Sequence, residues 1–291
     1  MNICAIFLIK DGIRKRDYEV NNSPTRATRH ACAVICGRST SAVSILFVAL
    51  ILLLFGCALS PGRHSGHENT SIGLPEKVTP TGSFAEVVRG PRGKSEIALT
   101  FDAGANAECF EDLITALENA RVRSTFFITG NFAQRNRQCA AAITKHGHEV
   151  GNHTWNHLNL TQQSDDVVRE EISRAEIFLT ELTGQNPRPL WRAPYGERND
   201  RVLRIATNLG YRSIYWTLDS LDGVEPVKTS QFLIDHITRK SDSELDGAII
   251  LMHVGVKSTA DALPAIVANL QGRGFHFVTV SKLLEAAPRA H

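Results

Sequence analysis

The chain has little cysteine, almost no methionine and no excess of either charge. Six cysteines in 291 residues are too few for a disulfide scaffold, and no two stand as Cys-x-x-Cys, which removes the commonest structural zinc signature. Lys and Arg total 32 against 30 Asp and Glu; seven of the bases but only three of the acids fall in residues 1–41. The remainder is therefore close to neutral, and nothing calls for a nucleic-acid partner. No Gly-x-Ser-x-Gly turn is present, so the usual serine-hydrolase arrangement is excluded. With 43% hydrophobic and 21% charged residues, the composition is that of a folded chain rather than a disordered one.

What is present starts with an address. Ala42–Leu59 runs for eighteen residues without a charge, behind a basic stretch, as an export signal does. A membrane-spanning helix needs about 20 apolar residues and a signal core about 7–15, so the run fits an uncleaved anchor helix or a cleaved signal. Leu54-Phe55-Gly56-Cys57 resembles a bacterial lipobox, in which the cysteine is lipidated and becomes the first mature residue. Residues 1–57 are thus assigned to a signal peptide with lipobox, or to an anchor helix. Met252 is the only methionine after Met1, so a shorter start would need another codon, Val34 being one position for it. The rest of the chain is expected outside the cytoplasm, held to a membrane. There Cys109 and Cys139 could form a disulfide or remain two separate buried thiols. Residues 58–93, rich in Pro and Gly and without periodicity, read as a flexible tether. Gly93-Lys94-Ser95 is no phosphate loop, since the first glycine of that motif would fall at Val88.

Residues 94–288 alternate short apolar runs with amphipathic stretches. Strands are predicted at Ile97–Phe101, Thr125–Thr129, Glu149–Asn152, Leu190–Arg192, Ser213–Thr217, Ala248–Met252 and His276–Val278. Helices are predicted at Glu108–Ala120, Phe132–His146, Ser164–Thr183, Arg198–Leu209, Val227–Arg239 and Thr259–Gln271. This alternation predicts an α/β domain with a parallel sheet, open or closed into a barrel. Reactive residues in such folds gather at the carboxyl ends of the strands.

Five strand ends carry ionisable or metal-binding groups: Asp102-Ala103-Gly104, His153-Thr154-Trp155-Asn156-His157, Arg192-Ala193-Pro194-Tyr195-Gly196, Asp219-Ser220-Leu221-Asp222 and Leu251-Met252-His253. Each has a plain structural alternative. An Asp before a small turn residue, or an Asp-Gly pair, is a common turn former; a single histidine after a buried strand can be a core residue bonded to a carbonyl. Their order along the chain and their shared placement favour one site.

These five segments together resemble the polysaccharide deacetylases of the NodB-homology type, carbohydrate esterase family 4, over residues 94–285. The family pattern is Thr-Phe-Asp-Asp-Gly, His-(Ser/Thr)-x-x-His, Arg-x-Pro-Tyr, Asp-x-x-Asp-Trp and Leu-x-His. The resemblance implies a distorted (β/α)7 barrel and metal-assisted removal of an N-acetyl group from an amino sugar. It implies a divalent metal, zinc first and cobalt or another ion as alternatives, held by His153 and His157. Asp102 would be the general base, Arg192 its partner, the Tyr195 N–H an oxyanion donor and His253 the acid for the leaving amine. Asp222 would orient His253, while Tyr195, Leu251 and Pro194 would contact the substrate.

Two positions depart from the family pattern. Ala103 stands where the family has its third metal ligand, and a methyl group cannot coordinate metal; Asn106 and Glu108 are the nearby substitutes. Gly223 stands where the family has Trp, which implies a missing wall in the acetyl pocket. The leading expectation is an extracytoplasmic deacetylase of peptidoglycan, with chitin-like or exopolysaccharide substrates next. The rival is a catalytically impaired glycan-binding protein of the same fold.

Overall fold

The structure, a computed structural model, describes residues 86–285. The expected leader, Cys57 and the tether as far as residue 85 lie outside the described residues.

The central strand β1 (Glu96–Ala103) is buried along its whole length after Glu96, as a strand flanked on both faces must be. It pairs in parallel with β2 (Thr125–Ile128) on one side and β7 (Ile249–His253) on the other. The sheet continues outward through β3 (Glu149–Asn152), β4 (Leu190–Trp191) and β5 (Arg212–Ser213), and through β6 (Leu218–Asp219) beyond β7. β8 (His276–Phe277) pairs with the start of β1. The order is therefore β5-β4-β3-β2-β1-β7-β6, all parallel, a curled half-barrel.

Alternation along β1 divides the interior in two. Ile97, Leu99, Phe101 and Ala103 join the main apolar cluster under the helices, whereas Ala98 packs with Phe127 and Ile249 in a smaller cluster. The even positions Thr100 and Asp102 carry polar groups up that second face toward the strand ends.

The helices are α1 (Phe110–Asn119), α2 (Gly130–Arg135), α3 (Arg137–Lys145), α4 (Asp165–Thr183), α5 (Asp200–Asn208), α6 (Ser230–Thr238), α7 (Asp242–Leu245), α8 (Lys257–Gly272) and α9 (Val280–Leu283). α4 shows why these segments are helical. Ser164 caps it by accepting the Val167 N–H, Asp165 and Asp166 face the positive end of the helix dipole, and Gly184 ends it at φ 73°.

Three expectations are corrected. The single helix expected over Phe132–His146 is two, because Asn136 leaves helical geometry and its side-chain amide donates to the Phe132 carbonyl. The strand expected over Ser213–Thr217 is broken: β5 and β6 are opposite edges of the sheet, and residues 214–217 pass between them. The stretch expected to be a flexible tether to residue 93 is joined to the domain from Val87 on, which pairs with the segment around Ile214. The Val87 N–H donates to the Ser213 carbonyl and its own carbonyl accepts the Tyr215 N–H, each at 2.8 Å, while Arg89 bridges to Ala248. Cys109 and Cys139 are both free thiols.

Candidate active site

Five strand ends converge on a cleft of about 380 Å³ whose lining includes Asp102, His153, His157, Tyr195, Gly223 and His253. Asp102 and His253 are register partners on β1 and β7, and the Val254 N–H donates to the Asp102 carbonyl at 3.0 Å.

Asp102 is 7% exposed. Its Oδ1 accepts Arg192 Nη1 at 2.7 Å, and the same nitrogen reaches Thr100 Oγ1 at 3.0 Å. The guanidinium is fully enclosed, donating also to the carbonyls of Ile214 and Tyr215. Burial by itself would raise the Asp102 carboxyl; the Arg192 charge, with His153 and His253 adding to it, outweighs that and holds it below the ordinary carboxylate range.

His253 Nδ1 lies 2.7 Å from Asp222 Oδ1. Asp222 Oδ2 accepts the His253 backbone N–H at 2.8 Å and the buried hydroxyl of Thr259 in the first turn of α8. Both carboxylate oxygens are thus fixed, and the imidazole is held with Nε2 turned away from Asp222. Burial would lower the His253 pKa, but the hydrogen bond and charge of Asp222, reinforced by Asp102 and Asp219, raise it above 6.5.

The rings of His153 and His157 are 4.8 Å apart between centroids. His153 Nδ1 is 2.9 Å from the Arg192 carbonyl, an acceptor only, so Nδ1 carries the proton and Nε2 presents a lone pair, 3.5 Å from Asp102 Oδ2. Burial lowers both imidazoles, His157 to about 4, and keeps them neutral near pH 7. Tyr195 stands edge-on to His157 at 4.5 Å between ring centroids, 67% exposed, with its backbone at φ 59°. Left-handed geometry in a bulky residue is a strain that functional loops retain.

Several expected residues lie elsewhere. Leu251 and Pro194 are buried and are not among the residues lining the cleft; Leu251 precedes His253 by two residues on the same face of β7. Glu108 is exposed and off the lining. Asn106 reaches the cleft, but its Oδ1 accepts the Glu108 N–H at 2.9 Å. Gly223 lines the cleft with its backbone against the His253 ring, where an added Cβ would come 2.8 Å from Cε1. The residues that sequence reasoning missed are Thr259 and Glu171. Glu171, on α4, accepts the Trp155 and Asn156 N–H groups at 3.1 and 2.7 Å.

Residues 89–214 match the family described as polysaccharide deacetylase. A peptidoglycan-N-acetylglucosamine deacetylase of Bacillus cereus is 33% identical over 216 residues, covering 72% of this chain and 97% of that protein. The chain belongs to the polysaccharide deacetylase family. Among solved structures, this deacetylase domain is similar to PdaA of Bacillus subtilis, a family 4 carbohydrate esterase (TM-score 0.64, 27% identity, 69% of this chain and 85% of that one). It is also similar to a family 4 pseudoenzyme from Bacillus anthracis (TM-score 0.65, 29% identity, 70% of each chain).

The deacetylase family implies a divalent metal, and the donors here can be tested for it. Two neutral imidazoles, one of them oriented by a backbone carbonyl through its other nitrogen, are what such an ion requires. Ala103 is fully buried in the main apolar cluster, and no group of three His, Cys, Asp or Glu residues is arranged for a metal among the described residues. The residues fit a cation held by His153 and His157, with its other positions left to solvent or substrate.

Proposed function

We propose that the domain is a metal-dependent N-deacetylase that hydrolyses the acetamide of an amino sugar in peptidoglycan. The observation that carries this reading is the pairing of Asp102 with His253 across β1 and β7, each with its own buried support, Arg192 and Asp222. A binding cleft has no use for a base and an acid held a strand apart. The glycan is taken from the names of the similar proteins, which act on peptidoglycan.

His153 and His157 would hold a divalent ion, zinc being our choice, which would supply Lewis-acid polarisation of the amide carbonyl and a lowered pKa for water. Asp102, kept ionised by Arg192, takes the proton of the attacking water through Oδ2, its Oδ1 being committed to the guanidinium. The Tyr195 N–H meets the developing oxyanion, a kind of contact typically worth about 2.7–4 kcal/mol of barrier. The amide nitrogen is too basic to leave without a proton, and His253 delivers one from Nε2, its imidazolium form favoured by Asp222. Thr259 keeps Asp222 from rotating away. The exposed Tyr195 ring offers an apolar face for a sugar.

Purified protein is assayed for acetate release from acetylated muropeptides, chitooligosaccharides and an acetylated exopolysaccharide, with Zn2+, with Co2+ and after chelation. Metal-dependent release, fastest on muropeptides, is the expected result. A second reading, a glycan-binding protein without turnover, draws on there being no cluster of three metal-binding side chains among the described residues; binding of the glycan with no acetate under any metal would select it.

The uncharged run of Ala42–Leu59 and the Cys57 that ends its lipobox-like segment support export and tethering at a membrane surface, where peptidoglycan is met. Mass spectrometry of the mature amino terminus tests this: a lipidated Cys57 supports it, and a fragment beginning upstream of Cys57 rules the lipoprotein form out.

A further inference from the structure

Glu171 is a buried carboxylate, 4% exposed, that the chemistry above leaves unused. Burying a carboxylate is costly unless its oxygens are hydrogen-bonded, so its partners indicate its purpose. Oε2 accepts the backbone N–H of Trp155 at 3.1 Å and of Asn156 at 2.7 Å, and Oε1 accepts the Asn156 side-chain amide at 2.6 Å. All three donors belong to the short loop between His153 and His157.

That loop needs holding. Thr154 and His157 are both in the left-handed region, at φ 69° and 60°, a conformation that non-glycine residues keep only when their surroundings impose it. Its carbonyls are fixed from α2, where the Gly130 and Asn131 N–H groups donate to Thr154 and Trp155 at 2.9 and 3.0 Å. On the opposite side stands α4, with Glu171 taking the loop's N–H groups and Arg174, one turn on, lying 3.9 Å over the Trp155 ring. An ionised carboxylate accepts several charge-assisted hydrogen bonds at once, which a hydroxyl or amide cannot match.

We propose that Glu171 is a positioning residue: by clamping the loop between His153 and His157 it fixes the directions of the two imidazoles and thereby sets their affinity for a divalent cation. With no cluster of three metal-binding side chains among the described residues, the geometry of this pair matters more than it would in a closed site. This rests on the assignment of the two histidines as metal ligands.

The full-length protein and its Glu171→Ala, Glu171→Gln and Glu170→Ala variants are compared by chelator competition for Zn2+, by the visible spectrum of the Co2+ form, and by thermal unfolding without metal. Glu171→Ala is expected to weaken Zn2+ binding about 10–100-fold, the usual loss when a partner behind a ligand is removed, and to alter the Co2+ spectrum. Glu171→Gln, which keeps one carbonyl oxygen for the backbone donors, is expected to fall between it and the wild type. The exposed neighbour variant Glu170→Ala should leave both readouts unchanged. A folded Glu171→Ala protein that binds Zn2+ within about twofold of wild type, with an unchanged Co2+ spectrum, overturns the proposal; should that variant not fold, the same result for Glu171→Gln overturns it. Wild-type acetate release separates the two levels. Turnover that is metal-dependent but indifferent to Glu171 sinks the positioning role alone, whereas a wild type that neither binds metal nor releases acetate removes the deacetylase reading and this proposal with it.

Discussion

Asp102 and His253 are direct neighbours across two hydrogen-bonded parallel strands, so the separation of this carboxylate and this imidazole is set by the sheet itself. Neither side chain depends on a flexible loop for its position. Each is backed by a buried group of opposite charge, Arg192 behind the carboxylate and Asp222 behind the imidazole.

Removing either proton-transferring group should abolish turnover and spare the fold. Asp102→Asn keeps an oxygen for Arg192 Nη1, and His253→Ala sits at the half-exposed end of β7. Each should lower kcat/KM about 10²–10⁴-fold, the usual worth of general acid or base catalysis. Steady-state kinetics and circular dichroism check this; unchanged rates in both variants would remove the assigned roles.

The pH profile should be limited on its alkaline side by His253, which must be protonated to serve as the acid. Its pKa is raised above 6.5 by Asp222 first, then Asp102 and Asp219, so activity should persist above that value and fall as pH rises through the raised pKa. On the acid side, Asp102 stays ionised below the ordinary carboxylate range, and His157, lowered to about 4, remains neutral until similarly low pH. In Asp222→Asn the alkaline limb should move to lower pH, because the main raising cause is gone. A limb that stays in place would show that another group sets it.

Ala103→Asp should tighten metal binding by tenfold or more if the new carboxylate reaches the two imidazoles. It should also destabilise the metal-free protein, since Ala103 is buried among apolar side chains and an unpaired carboxylate there is costly. Calorimetric titration with Zn2+ and thermal unfolding of the metal-free form read the two effects separately. Unchanged affinity would mean that another group already supplies the third contact.

His148 should make the metal-free protein acid-sensitive. It is buried, its Nδ1 accepts the Ser124 N–H, and its Nε2 has no partner among the described residues. Burial lowers its pKa from 6.5 to about 4, so between those values the unfolded chain binds a proton that the native state refuses. Stability should therefore fall as pH drops from 6.5 toward 4, by about 3 kcal/mol in all. Urea unfolding at pH 7 and pH 5 should show a smaller pH-dependent loss in His148→Asn than in the wild type, whatever the variant costs at pH 7; equal losses would assign the sensitivity elsewhere.

The sequence was most informative where chemistry and periodicity coincide. β1 and β7 are continuous apolar runs ending in Asp102 and His253, and a polar residue closing such a run stands out. β6, two residues long and half-buried, follows a crossing between sheet edges that no local pattern marks. Leu251 shares the face of β7 with His253 two residues on and is 4% exposed, a matter of depth that a linear pattern does not encode. Glu171 was hidden because it follows Glu170 in a helix with exposed charges, and only the fold shows that one of this acidic pair faces inward. Thr259 was hidden likewise, as one more hydroxyl in the first turn of a helix.

The stitching of Val87 between Ser213 and Tyr215, with Arg89 against Ala248, has a mechanical meaning for any load applied through the chain that precedes it. A pull along that chain would load the seam joining the two margins of the sheet, at the β5 side and the foot of β7, before reaching β1. Such a load would be absorbed at the base of the half-barrel, leaving the groups at its mouth in register.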